Sequence, residues 1–236
     1  ISIVVWILSQ QGPVKLISSL QHAVFFINKS QLDAATSVFN EYGIICEIKH
    51  VKLKSFMQQQ VVSCYFSSLK HYYNAAKRLK AQHIKVYEDD IRPVDRFLME
   101  RFIRGSVWAK GRLIKSHPYP VLTDAKFKKN SEFTPRFSSL SLDIECNGEG
   151  VLFSVGLVGE NIDMVLMIGQ PQDTSELPFS IQWCVDEIDL LDHLCSLIQT
   201  IDPDVIIGWN VIEFDFTVLH ARAEALGVEL PLGRNK

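Results

Sequence analysis

The chain has 236 residues, enough for one or two domains with a sizeable core, and its 47% apolar and 22% charged content is ordinary for a globular protein. A formal charge of −3 excludes a nucleic-acid footprint spread over the whole surface, so any DNA contact must use local basic patches such as Lys126-Phe127-Lys128-Lys129 with Arg136. Five cysteines (Cys46, Cys64, Cys146, Cys184, Cys195) in an odd, loosely spaced set argue against a disulfide framework or a zinc site, and point to reduced thiols in the cytoplasm.

The apolar start, residues 1–8, is too short to span a membrane and reads as a strand, followed by a turn over 9–13 and a short strand over 14–17. A strand over 23–27 comes next. Ser30, a good cap, opens a helix with Leu32, Ala35, Val38 and Phe39 on one face, and Gly43 ends it. Strands over 44–49 and 61–66, a helix over 69–82 and a strand over 84–87 complete a β-α-β-β-α-β order, which predicts a ferredoxin-like unit. No run matches the aromatic stacking signature of RNA-recognition domains, so Tyr65 and Phe66 are read as core. Pro93 suits the first turn of a short helix carrying Phe97, Leu98, Arg101 and Phe102. Strand-like stretches over 106–109 and 112–115 flank Gly111. Residues 116–136, with three prolines, three lysines and little periodicity, read as a loop or linker. The expected domains are therefore 1–130 and 131–236, in an α/β (α+β) protein.

The second half predicts strands over 140–145, 151–158, 164–168 and 181–185. A helix follows over 186–200 with Ile188, Leu191, Leu194, Cys195 and Ile198 inward, then a strand over 205–209 covered on both faces, and a helix over 214–226 ended by Gly227. Three strands followed by helix-strand-helix is the ribonuclease-H-like order, here with a mixed sheet and the first acidic pair on the central strand.

That pair is Asp143-Ile144-Glu145. Residues two apart on a strand share a face, so the spacing aims two carboxylates at one point. Two like charges so placed are unfavourable unless a cation lies between them, and hard divalent ions such as Mg²⁺ or Mn²⁺ take such oxygen ligands. The segment Asp202-Pro203-Asp204-Val205-Ile206-Ile207-Gly208-Trp209-Asn210 through Phe214-Asp215 supplies a third carboxylate. Together these predict a two-metal nuclease site. No Gly-x-Ser-x-Gly elbow, Walker loop or His-Glu-x-x-His appears, and His193 and His220 read as single structural or solvent-facing imidazoles.

These residues resemble the family B DNA polymerases, nearest the bacterial polymerase II type. Asp143-Ile144-Glu145 looks like the family's first exonuclease motif. Asp202 to Asn210, with the Asn-x-x-x-Phe-Asp core ending at Asp215, looks like its second, and Arg222-Ala223-Glu224 continues the likeness. Residues 86–93 and the Arg96-Phe97-Leu98-Met99-Glu100-Arg101-Phe102 run resemble the N-terminal domain of the same enzymes. The resemblance implies the amino-terminal part of a replicative or repair polymerase, a nucleotidyltransferase with a 3′→5′ proofreading exonuclease. It implies primer 3′ ends, template DNA and deoxynucleotides as partners of the parent enzyme, the rest of the polymerase and a sliding clamp as further contacts, and a bacterial cytoplasmic, nucleoid-associated setting without membrane. Under it, Asp143 bridges two metals, Glu145 holds the one carrying the attacking water, Asp215 supports the other, and Asn210 and Phe214 place the unpaired 3′ end. Core packing for Phe214 and a cap or turn role for Asn210 are the competing readings. The family's third motif, Tyr-x-x-x-Asp, has no match: Tyr87 and Tyr119 have Ile91 and Thr123 at that offset. A chain of these residues alone is therefore expected to be inactive. The alternative is a non-catalytic nucleic-acid-binding module using the same folds.

Overall fold

The computed structural model describes residues 1–234, so the last two residues of the domain expected over 131–236 lie outside it. The chain divides into two compact units, one over residues 1–135 and one from Arg136 onward.

The first unit holds two sheets. Strands β1 (Val4–Ser9) and β2 (Gly12–Ser18) form a hairpin whose turn is only Gln10-Gln11, so Pro13 falls inside β2 opposite Leu8 rather than in the expected turn. The ferredoxin-like unit consists of β3 (Ala23–Asn28), α1 (Leu32–Glu41), β4 (Glu47–Lys54), β5 (Gln60–Phe66), α2 (Leu69–Ala81) and β6 (Val86–Tyr87). Its sheet order is β4-β5-β3-β6, with every neighbouring pair antiparallel. Helix α1 starts differently from the sequence reading. A 3₁₀ turn over Lys29–Gln31 precedes it, and neither Ser30 nor Gln31 caps it through a side chain. It buries Ala35, Val38 and Phe39, and Gly43 at φ +59° reverses the chain while the Ile44 N–H donates to the Phe39 carbonyl. Phe66 is core, but Tyr65 faces the other side of the sheet, half-buried with the Lys49 ammonium 4.7 Å from its ring centre.

Helix α3 (Pro93–Met99) begins on Pro93 and buries Phe97. The two stretches expected around Gly111 are one continuous strand, β7 (Val107–Lys115). Its register against β8 shifts at Gly111, where a Cβ would sit 2.9 Å from the Thr123 carbonyl. The expected linker over 116–136 is the largest correction: residues 121–129 are strand β8 (Val121–Lys129), parallel to β2 and antiparallel to β7, in the order β1-β2-β8-β7. The linker reading failed because charged residues hide the alternation. In β8 only Ala125 is buried, while Lys126 and Lys128 stand exposed beside the exposed β7 residues Trp108, Lys110 and Arg112.

The second unit is a five-stranded mixed sheet with two helices. Its strands are β9 (Ser139–Cys146), β10 (Leu152–Gly159), β11 (Ile162–Ile168), β12 (Ser180–Cys184) and β13 (Val205–Ile207), in the order β12-β11-β10-β9-β13. Strands β9, β10 and β11 pair antiparallel; β12 and β13 join parallel at the two edges. The central strand is β10, so the acidic pair lies one strand off centre on β9. Leu140, Leu142, Leu157 and Leu166 form a buried face under α4 (Glu187–Ile201) and α5 (Asp215–Leu226). Asp186 caps α4 by accepting the Asp189 N–H at 2.9 Å. The inward face of α4 is Leu190, Leu191, Leu194, Cys195 and Ile198; Ile188 is 41% exposed at the margin of the stripe, and Leu190 on its other margin is buried instead. Strand β13 is not covered on both faces. It is a three-residue edge strand with Val205 and Ile207 exposed. Among the described residues no helix is long and apolar enough to cross a membrane.

The register of β13 on β9 is set at both ends. At its start, the Asp204 carboxylate accepts the Ser138 N–H at 3.0 Å and the Ser138 hydroxyl at 3.1 Å, while the Asp204 N–H donates to the Ser138 carbonyl. Burial by itself would raise the Asp204 carboxyl; the Ser138 donors and the Arg234 guanidinium outweigh it and hold the group below the ordinary aspartate value. At its end, Gly208 lies so close to β9 that a Cβ would meet the Leu142 carbonyl at 2.5 Å and Val211 Cβ at 3.0 Å. Gly208→Ala must push two backbones apart and should lower stability by roughly 1–3 kcal/mol or more. A urea midpoint unchanged from the parent chain would contradict that packing.

Candidate active site

Strand β9 alternates cleanly: Leu140, Leu142 and Ile144 are buried, and Asp143 and Glu145 are exposed on the opposite face. Neither acid forms an ion pair among the described residues. After Gly208 the chain leaves β9 through an exposed turn, and Asn210 takes a left-handed conformation at φ +55°. Its carbonyl accepts the Phe214 N–H at 3.0 Å, a turn-building role for the backbone that leaves the side chain exposed. Trp209 is 93% exposed, Ile212 75% and Phe214 46%. The core-packing alternative for Phe214 therefore does not describe this turn, which presents three large apolar side chains to solvent.

The turn ends on Asp215, the first residue of α5, which is buried to 1% exposure. Its Oδ1 accepts the Ile144 N–H at 3.1 Å, so the third carboxylate meets the backbone of β9 between Asp143 and Glu145. Strand β13 pairs with β9 only as far as Ser141, which leaves the Ile144 amide beyond the end of the ladder for a side chain to satisfy. Asp215 Oδ2 is buried with no hydrogen-bond partner among the described residues. A buried carboxylate oxygen without a donor is costly, and a hard cation beside it is the chemistry that removes the cost.

The three carboxylates are not drawn into a tight knot. Among the described residues, one group alone has three ligand-type side chains with all ligand atoms within 4.8 Å of one another, and it is Cys184, Asp189 and His193. Asp143, Glu145 and Asp215 do not meet that spacing. The sequence reading left His193 as a single imidazole. The overlooked signal is the Asp189-x-x-x-His193 spacing, one helical turn on α4, five residues after Cys184.

A second set of contacts holds α5, and hence Asp215, in place. Glu187 receives Arg222 through two hydrogen bonds, of 2.9 Å from Nε and 2.5 Å from Nη2, and its Oε1 also accepts the Leu152 N–H at 2.9 Å. One carboxylate thus ties α4, α5 and β10. The Arg222 guanidinium holds the Glu187 carboxyl below the ordinary glutamate value, with help from the Leu152 amide against the opposing effect of burial. Arg234 plays a related part near β13, donating to the Asp202 carboxylate at 2.6 Å and the Asp204 carboxylate at 3.0 Å.

Residues 84–234 match the family model described as DNA polymerase family B, exonuclease domain. The chain is 34% identical over 232 residues to DNA polymerase II of Escherichia coli (strain K12), covering 98% of this chain and 29% of that protein. It is 25% identical over 181 residues to the DNA polymerase delta catalytic subunit of Drosophila melanogaster, covering 62% of this chain and 17% of that one. In three dimensions it superposes on the family B DNA polymerase of the hyperthermophilic archaeon Pyrobaculum calidifontis with a TM-score of 0.76 at 19% identity, over 99% of this chain and 31% of the other. The chain thus spans under a third of these relatives.

Two outcomes test this geometry. In metal-free buffer, Asp215→Asn keeps an acceptor for the Ile144 N–H, so its thermal midpoint should fall less than that of Asp215→Ala. Asp215→Ala strands the amide and should lose about 1–3 kcal/mol; equal losses from both substitutions would contradict the arrangement. Because the Glu187 carboxyl is depressed in the folded state, its stabilisation is complete above the unfolded glutamate value. It fades as pH falls through the lower folded value, below about 4.3. Acid titration of stability should show that limb in the parent chain and a flatter one in Glu187→Gln.

Proposed function

The chain belongs to the family B DNA polymerases, and on that premise we propose that its second unit carries part of a metal-dependent 3′→5′ exonuclease site acting on the primer end of DNA. The observation that carries the reading is the unpartnered, buried Oδ2 of Asp215 beside the strand bearing Asp143 and Glu145. The donor set fits: three carboxylates, no sulfur and no imidazole, as hard oxygen-seeking ions of the Mg²⁺ or Mn²⁺ class require. Two such ions, when bound, supply an activated water for attack on the terminal phosphodiester and stabilise the leaving 3′ oxygen.

The chain's own residues divide the remaining work. Asp143 and Glu145 from β9 and Asp215 from its fixed place on Ile144 would hold the ions, with Asp143 and Glu145 on the side where the attacking water would be activated and Asp215 supporting the leaving-oxygen side. Asn210 and Phe214 sit on the exposed turn and orient the unpaired 3′ nucleotide. Phe214 offers a ring face for stacking, an interaction worth roughly 1–3 kcal/mol per base. On the first unit, the exposed Lys110, Lys126 and Lys128 of β7 and β8 give that unit its own sequence-independent attraction for a nucleic-acid backbone, which salt weakens by counterion exchange. Template and primer DNA and deoxynucleotides are the substrates of the parent polymerase in replication or repair, and contacts to a sliding clamp belong to that larger protein. Its setting is the bacterial cytoplasm. No residue of the chain supplies the family's Tyr-x-x-x-Asp motif, so the 236 residues by themselves are inactive as nuclease and as polymerase.

In the polymerase that contains this segment, Asp143→Ala should reduce 3′→5′ degradation of a 5′-labelled single strand at least about a thousandfold. Loss of metal stabilisation worth several kcal/mol has that effect, and nucleotide incorporation should persist. Undiminished degradation by Asp143→Ala, or rapid Mg²⁺-dependent degradation by the 236-residue chain itself, would overturn the proposal.

A further inference from the structure

We propose that Cys184, Asp189 and His193 form a second metal site, selective for a thiophilic divalent ion of the zinc type and separate from the three carboxylates. Cys184 is the last residue of the edge strand β12 and is buried to 1% exposure. Asp189 lies in the first turn of α4 and His193 one turn further on the same face. Their sulfur, oxygen and nitrogen ligand atoms all lie within 4.8 Å of one another. His193 Nδ1 lies 3.1 Å from Asp189 Oδ1 and 2.9 Å from the Asp189 carbonyl oxygen, so the ring must turn from that carbonyl to offer this nitrogen to an ion. Ligand atoms on a tetrahedral zinc ion, with bonds of about 2.0–2.3 Å, are roughly 3.3–3.8 Å from one another, so small side-chain rotations close the group.

Asp189 Oδ2 accepts the Val185 N–H at 2.9 Å, which orients the carboxylate and leaves Oδ1 turned toward His193. A hydrogen bond of that kind fixes a metal ligand in its bound pose. Asp189 and His193 are half-buried, so an ion enters from their side and meets the sulfur beneath, with a fourth position left for water. The Cys184 thiol, which burial pushes up and which faces the Gln182 carbonyl at 3.8 Å, releases its proton to solvent as the ion binds. The resulting set of one thiolate, one imidazole and one carboxylate suits zinc and rejects magnesium, the reverse of the preference proposed for Asp143, Glu145 and Asp215. Strand β12 is three strand spacings from β9, or roughly 14 Å across the sheet, so each site can be filled without the other. Binding cross-links the edge strand to the start of α4.

The test uses the metal-free, reduced 236-residue chain titrated with Co²⁺ as the probe. The expected result is a near-ultraviolet sulfur-to-cobalt charge-transfer band with intense visible bands of tetrahedral cobalt, saturating at one equivalent and bleached by Zn²⁺. Cys184→Ser should abolish the charge-transfer band. His193→Ala, a change at a half-exposed position that spares the core, should weaken binding by at least about ten- to a hundredfold. Cys64→Ser and Asp143→Ala should leave the spectrum unchanged. Absence of the band, its survival in Cys184→Ser, unaltered affinity in His193→Ala, or its loss in Cys64→Ser would each overturn the proposal.

Discussion

The hydrogen bond from the Ile144 amide to Asp215 Oδ1 is the constraint on which the candidate site depends. It joins residues 71 positions apart and fixes the start of a helix against one peptide group of a strand. It does so because β13 pairs with β9 for three residues and then stops, leaving the next inward-facing amide without a ladder partner. The same carboxylate therefore satisfies the fold with one oxygen and leaves the other buried and bare. Under the proposed metal site, chemistry and architecture share this side chain, and the buried oxygen left bare by the fold is the one that would face a cation.

Upstream of that bond, the structure spends its polar interactions on register. Ser138 and Asp204 lock the first pair of β9 and β13, and Arg234 braces Asp202 and Asp204 together. Glu187 gathers Arg222 and the Leu152 amide, so that α5 cannot slide along its axis without breaking the two Arg222 hydrogen bonds to a carboxylate that β10 also holds. A one-residue slip of β13 would carry the turn, and with it Asp215, about 3.3 Å along β9 and reverse which side chains face the core. Asp202 and Asp204, which stand in the same motif as Asp215, thus act as clamps rather than as ligands.

Much of this was legible in the residues. The alternation of β9 placed Asp143 and Glu145 on one exposed face, and the β-α-β-β-α-β order of residues 23–87 specified the sheet order found. Strand β8 was not legible, because a strand with one buried residue carries no apolar alternation; its lysines looked like a linker when they were the solvent side of a sheet. The edge position of β13 was hidden for the opposite reason. Val205-Ile206-Ile207 reads as interior by hydropathy, yet it ends the sheet with two apolar side chains in solvent. The Cys184, Asp189 and His193 group was invisible because its three members span a strand end and two helical turns, a spacing that gains meaning only when the turn between β12 and α4 is known.

The shortness of β13 has a bearing on how such molecules behave when crowded. An uncovered apolar edge ordinarily templates the addition of foreign strands and, from there, fibrillar stacking. Three residues offer an incoming strand a hydrogen bond or two, which cannot repay the backbone entropy of ordering it, roughly 1–2 kcal/mol per residue. Brevity is thus the safeguard that hydropathy alone would not disclose: this apolar rim of the sheet can stay open to solvent without inviting copies of its own kind.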